Sequence, residues 1–250
     1  LDLLERATAA READLRIVFA LPVLGLVLGA FLERWGGPVR GGNNLVIDRI
    51  FEAGPRIPLR MAPIVLFGTV LTHLFGGSAG REGTAVQMGA SLADEVSHRL
   101  RVGPELPRQL LPAGVAVGFG SVFGTPIAGC VFGLELIVLG RVEYRGLAPA
   151  LVAAVVGDMT ARAWGAHHTH YPSPPSVPLT VELLGIWIVF AAAMAAATVV
   201  FIELSHLLKR VFTRTLPRLP LRMAVGGGLV VVIWQLLGTS DYLGLGVPMI

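Results

Sequence analysis

The chain has 250 residues, a formal net charge of +3, and is 54% hydrophobic against only 15% charged, with a mean hydropathy of +0.70. Soluble domains average about a quarter charged residues, so this composition excludes an ordinary soluble domain and points to a membrane protein whose partner is the lipid bilayer. The basic residues are not interleaved with aromatic ones, which argues against nucleic acid, and the single cysteine, Cys130, excludes an internal disulfide.

Residues 1–15 mix acids and bases with alanine and read as a surface loop or an interfacial helix. A first span is expected over residues 17–34. GGPVRGGNN, residues 36–44, is a turn-rich break. A half-helix over 45–53 follows, with Asn43 and Asn44 as favoured N-caps. After Pro55 and Pro58 a span runs to about Phe75, where GGSAGREG, residues 76–83, interrupts it. The next helix is expected to start near Thr84 and to turn polar over 94–101. Pro107 and Pro112 precede a helix through Phe123, and Gly124, Thr125 and Pro126 restart one that runs to about Leu139. Further helices are expected over 147–164, 180–209 and 221–237.

A bilayer core takes roughly 20 apolar residues in a helix. Several runs meet this length and others fall short, which implies tilted, broken or half-spanning helices. The 31 glycines and 17 prolines agree, because irregular backbone survives in lipid only where protein or a water-filled cavity satisfies it. Close helix packing accounts for part of the glycine. Lys209, Arg210, Arg214, Arg218 and Arg222 cluster over 209–222 without an acid, so that stretch is expected on the cytoplasmic side. HHTHYPSPPS, residues 167–176, is then outside. The first residue, Leu1, and an end just after an apolar run suggest a fragment cut at both ends, and no signal peptide is visible.

Helices are thus expected to begin at 42–44, 83–84 and 124–126, each after a glycine-bearing break. A helix amino end carries unpaired N–H groups and a partial positive charge. Several such ends meeting inside a membrane body bind an anion without a full charge, weakly enough to release it. Arg81 and Glu82 fall at the second break, and an ionisable residue within a membrane body points to function. Adjacent residues do not face each other, so different partners are expected. Arg81 holds loop carbonyls or an acid elsewhere. Glu82, placed just ahead of the new helix, sits where an anion would sit, so its carboxylate can occupy the anion site and protonation can release it.

These residues carry a resemblance. GREGTAVQMGA, residues 80–90, resembles the G-[KR]-E-G-P-x-x-Q-x-G signature of the CLC chloride channel and transporter family. GVAVGFGSVFGTPIAGCVFGLE, residues 114–135, resembles the family's next helix pair, and GNNLV, residues 42–46, falls where the family has G-S-G-I-P. The resemblance implies an all-α membrane protein, a CLC-type body of inverted repeats with broken and half-spanning helices, present here in part. Most of the first repeat would lie in about 1–170 and the start of the second in about 178–250. It implies a homodimer with one pore per subunit. It makes Glu82 the gating and proton-carrying glutamate, and assigns anion binding to Asn43, Asn44, Gly80, Arg81, Gly83 and Thr84. The break at 124–126 is expected at the dimer-facing side, away from the ion. No metal or nucleotide cofactor is implied.

Three departures from the family pattern narrow the reading. Asn43 replaces the serine that touches chloride, Thr84 replaces a proline, and Leu136 replaces the second of two paired glutamates, of which Glu135 matches the first. All three resemble the fluoride-exporting branch, fluoride/proton antiporters of the bacterial inner membrane. A chloride/proton exchanger or chloride channel is the alternative.

Other patterns have plainer readings. Residues 76–80 also match G-x-S-x-G, but the serine-hydrolase elbow needs a strand before its serine. His73 could relay protons or simply pack. His167, His168 and His170 could bind a metal, although a solvated loop fits better. Asp158 and Arg162 are spaced to pair on one helix, Glu135 could pair with Arg141, Glu203 can snorkel, and Cys130 reads as a packing residue.

Overall fold

The computed structural model describes residues 2–51, 55–101, 105–136, 144–168 and 177–246. Among them every regular element is helical. Helix α1 (Asp2–Ala13) carries an Asp2–Arg6 pair one turn apart on its exposed side. Asp14 then caps a short 3-10 turn over Leu15–Ala20 by accepting from the Arg16 N–H. Helix α2 (Leu21–Phe31) opens on Pro22, a residue whose missing N–H costs nothing in a first turn. It passes through a π turn at Leu32–Gly36 and a 3-10 turn at Gly37–Gly41. Half-helix α3 (Asn43–Phe51) follows.

Helices α4 (Met61–Leu74), α5 (Arg81–Arg99), α6 (Glu105–Phe123), α7 (Pro126–Glu135) and α8 (Leu147–Ala163) form the body. Small residues bring their backbones together. A β-carbon on Gly89 of α5 would overlap the Gly114 carbonyl of α6, and one on Gly118 would overlap the Ala85 carbonyl. This is how apolar helices associate where lipid supplies no hydrophobic drive. Around the seam Val86, Ala90, Leu111, Val115, Ala116, Cys130, Ala150 and Ala154 form the buried core.

Helix α9 (Val181–Thr215) is exposed along its whole length. At 1.5 Å per residue its 35 residues reach about 52 Å, so crossing a bilayer core of about 30 Å requires tilt or an overhang. Helix α10 (Leu219–Leu237) returns. Leu15–Phe51, Val181–Thr215 and Leu219–Leu237 are long and apolar enough to cross a membrane.

Helices α2 and α10 pack antiparallel through a reciprocal contact. Both begin with Leu-Pro, Leu21–Pro22 and Leu219–Pro220. A β-carbon on Gly29 would strike Pro220, and one on Gly227 would lie 3.0 Å from the Pro22 nitrogen. Gly25 meets the Met223 carbonyl. In the register that aligns the two Leu-Pro pairs, Gly29 answers Gly227 and Gly25 answers Met223. The contact therefore has approximate two-fold symmetry, as an inverted repeat requires.

Several boundaries differ from expectation. Asn43 and Asn44 are the first residues of α3 rather than its caps; Gly42, at φ 56°, supplies the reversal that precedes the helix. Helix α5 begins at Arg81, because extended Gly80 ends the break, so Glu82 lies within the first turn and not ahead of it. Pro112 sits inside α6 instead of before it. Helix α9 runs six residues past Lys209, to Thr215, leaving the basic cluster on helix ends around a short turn. Arg141 and His170 lie outside the described residues.

Candidate functional site

The site grows from two parallel helices. On α5, Gln87 donates from Nε2 to Asn43 Oδ1 on α3 at 2.8 Å. Further along both helices Arg49 Nε meets Asp94 Oδ1 at 3.2 Å. Asp94 is 1% exposed and its second oxygen accepts the Ile57 N–H at 2.8 Å. Six residues along α3 and seven along α5 separate these contacts, so the two helices run side by side, with the start of α3 beside the first two turns of α5. Adjacent parallel dipoles repel, and a negative charge at their positive ends relieves the repulsion.

Asn43 lies against Gly83, where a β-carbon would sit 3.4 Å from Nδ2 and 3.7 Å from Oδ1. Gly42 faces the Gln87 amide from the other side. The two amides thus lie beside the two glycines. Glu82 is one residue away, in the first turn of α5, and its carboxylate folds back over Gly80 at the helix's own amino end. It opens into a cleft of about 480 Å³ bounded by Ser78, Gly80, Asp241, Tyr242 and Gly244. Ser78 Oγ donates to the Tyr242 carbonyl at 3.1 Å, tying the break before α5 to the stretch after α10.

The structure separates the remaining expected site residues. Thr84 turns to α4, where its hydroxyl meets that of Thr69 at 2.5 Å. Among the described residues Arg81 holds neither loop carbonyls nor an acid: its guanidinium lies over the Phe123 ring, 5.2 Å from the centroid. An aromatic face accepts a guanidinium cation, and Phe123 closes α6 beside the third break. Asn44 is exposed on the first turn of α3. Asn43, Gly80 and Glu82 are exposed as well, so among the described residues the site is an open cleft and not an enclosed chamber.

Around it the plainer readings sort themselves. Ser78 follows a helix, with no strand among the described residues. His73 is wholly buried with Nδ1 2.8 Å from the Thr69 carbonyl. Arg11 of α1, also buried, donates to the His73 carbonyl at 2.9 Å and packs against Gly244. Burial lowers its pKa from the ordinary arginine value, and neighbouring Glu12 opposes this. Asp158 and Arg162 pair at 2.8 Å. His168 closes over Gly124, at φ 68°, with Nε2 3.5 Å from Asp158. Cys130 is buried and free. The described residues hold no cluster of three metal-binding side chains.

Comparison with known proteins places this geometry. The model of the voltage-gated chloride channel family matches residues 24–250. The chain belongs to the voltage-gated chloride channel family. It is 44% identical over 99% of its length to the "Chloride/fluoride channel protein" of Pseudomonas syringae pv. tomato, of which it spans 56%. It is 28% identical over 58% of its length to the "H(+)/Cl(-) exchange transporter ClcA" of Yersinia pestis, of which it spans 30%. Among solved structures it matches the "Crystal structure of a CLC-type fluoride/proton antiporter" with a TM-score of 0.93 and 34% identity, over 97% of this chain and 62% of that one. The chloride-channel fold expected from the motifs is therefore the fold observed. Sequence reasoning missed Gln87 as a site residue, although it stands at the glutamine of the signature.

Proposed function

We propose that the complete protein is a secondary active fluoride/proton antiporter that exports fluoride across the bacterial inner membrane using the proton gradient. The observation that carries this reading is the start of α3 lying beside the first two turns of α5 at Asn43 and Gly83, with the Glu82 carboxylate folded over the α5 amino end. Free N–H groups at Gly80–Gly83 and at Asn43 and Asn44, with the Asn43 amide, supply donors for a small, strongly hydrated anion. Glu82 occupies that end as a carboxylate and leaves it when protonated or displaced. The side chains of Arg81 and Thr84 hold the α5 turn in place through Phe123 and Thr69 and are turned away from the ion. The likeness to the solved fluoride/proton antiporter supports the choice of fluoride.

Residues of about 1–170 supply most of one repeat and about 178–250 the start of the other; the reciprocal contact between α2 and α10 supports this division. The subunits pair as a homodimer, with the break at 124–126 facing the dimer side. The name of the Pseudomonas relative includes chloride, which favours a chloride/proton exchanger or chloride channel as the second reading. Fluoride and chloride efflux from liposomes containing the complete protein, recorded with proton uptake, tests both. Fluoride-selective flux coupled to protons is expected; chloride preference replaces the first reading with the second, and flux without protons removes the antiporter.

A further inference from the structure

The two amides at the junction of α3 and α5 differ in what they leave available. A primary amide carries an acceptor oxygen and a two-proton donor nitrogen. Gln87 stands one turn after Gly83 on α5 and directs Nε2 at Asn43 Oδ1. That bond occupies the oxygen of Asn43. The end of Asn43 left for a ligand is Nδ2, two N–H groups lying against Gly83. Without a partner the amide can turn over and present its oxygen, and two acceptors repel. An anion accepts only, so the direction in which Asn43 is held decides whether position 43 attracts or repels it.

We infer that Gln87 is a specificity-determining positioning residue: by donating to Asn43 Oδ1 it keeps the Asn43 N–H groups turned toward the anion. The inference rests on the proposed site and deepens it. Gly42 and Gly83 border the device, since a β-carbon at either would lie in ordinary contact with the amides, 3.6 Å from Gln87 Nε2 and 3.4 Å from Asn43 Nδ2. The arrangement favours the ion that most needs strong donors, and it does so without a fixed positive charge that would retain the ion.

The test uses the complete protein in liposomes, with initial fluoride efflux measured against fluoride concentration and protons counted per fluoride. Gln87→Glu reverses the polarity, because a carboxylate only accepts and Asn43 must then turn its nitrogen away from the site. It is expected to raise the half-saturating fluoride concentration about tenfold, the effect of one hydrogen bond to an anion, with protons per fluoride unchanged. Gln87→Met, which removes the donor without reversing it, gives a smaller rise and decides the matter if the glutamate variant fails to fold by size-exclusion profile. In an Asn43→Ala background either change shifts half-saturation less than about twofold, which separates orientation of Asn43 from the added charge of glutamate. An unchanged half-saturation with methionine, or an equal shift without Asn43, overturns the inference. Glu82→Gln in the same assay reports on the site itself: if it retains proton transport the proposed function falls, whereas its loss of coupling beside a silent Gln87 variant removes only the role of Gln87.

Discussion

The guanidinium of Arg81 stacks on the ring of Phe123, 5.2 Å from its centroid, and so joins the first residue of α5 to the last residue of α6. One side of the α5 tip is thereby fixed to the third break, while its neighbour Glu82 points the other way into the cleft. Arg81→Ala and Phe123→Leu should each lower stability by about 1 kcal/mol, and together by less than their sum. Thermal unfolding of the purified complete protein reads this; strict additivity would mean that the stacking contributes nothing.

Glu82→Gln keeps the shape of the side chain and removes its charge. Reconstituted protein carrying it should lose proton movement driven by fluoride while remaining folded. Proton flux at the rate of the parent protein would exclude Glu82 as the carrier.

Asp94 receives both Arg49 and the Ile57 N–H while almost fully buried. Asp94→Ala takes the acceptor from the buried Ile57 N–H and one carboxylate from Arg49, and should cost on the order of 3 kcal/mol. Asp94→Asn retains an oxygen for Ile57 and should cost less. A melting temperature within a degree of the parent for the alanine variant contradicts this account.

Gly118→Val places branched carbon where the Ala85 carbonyl of α5 already sits. Neither backbone can yield without opening the seam, so the loss should reach about 3 kcal/mol or prevent folding. Gly226 has open space at the same test, and Gly226→Ala should be neutral or slightly stabilising, as alanine favours helix by about 1 kcal/mol. Yield and unfolding temperature of the pair provide the comparison.

Thr84→Val keeps the volume and removes the hydroxyl that meets Thr69. A loss of about 1 kcal/mol is expected, with fluoride preference unaltered, because that side chain faces α4. A changed ion preference would return Thr84 to the ion-binding set.

The breaks were legible in the sequence because glycine and proline mark where a membrane helix stops, and the helices duly restart at Asn43, Arg81 and Pro126. Helix starts were less so: capping preference favoured Asn43 and Asn44 outside α3, but Gly42 takes the reversal and frees the Asn43 amide for Gln87. That pairing spans 44 residues of sequence and follows no local period. The partner of Arg81 was equally hidden, since an arginine's preference for a ring over a carboxylate depends on which helix end arrives beside it. Charge and the signature together marked Glu82, while Gln87 was marked by the signature only and carries no charge to point to a site.

The contact between α2 and α10 has a consequence for how this chain can change. At its centre two equivalent positions hold glycine and methionine, Gly25 against the backbone of Met223. Near a two-fold axis a position meets its own counterpart, so two bulky residues would collide and two minimal ones would leave a gap. The two positions are therefore not interchangeable: the backbone of its counterpart holds position 25 to glycine, while position 223 keeps a full side chain.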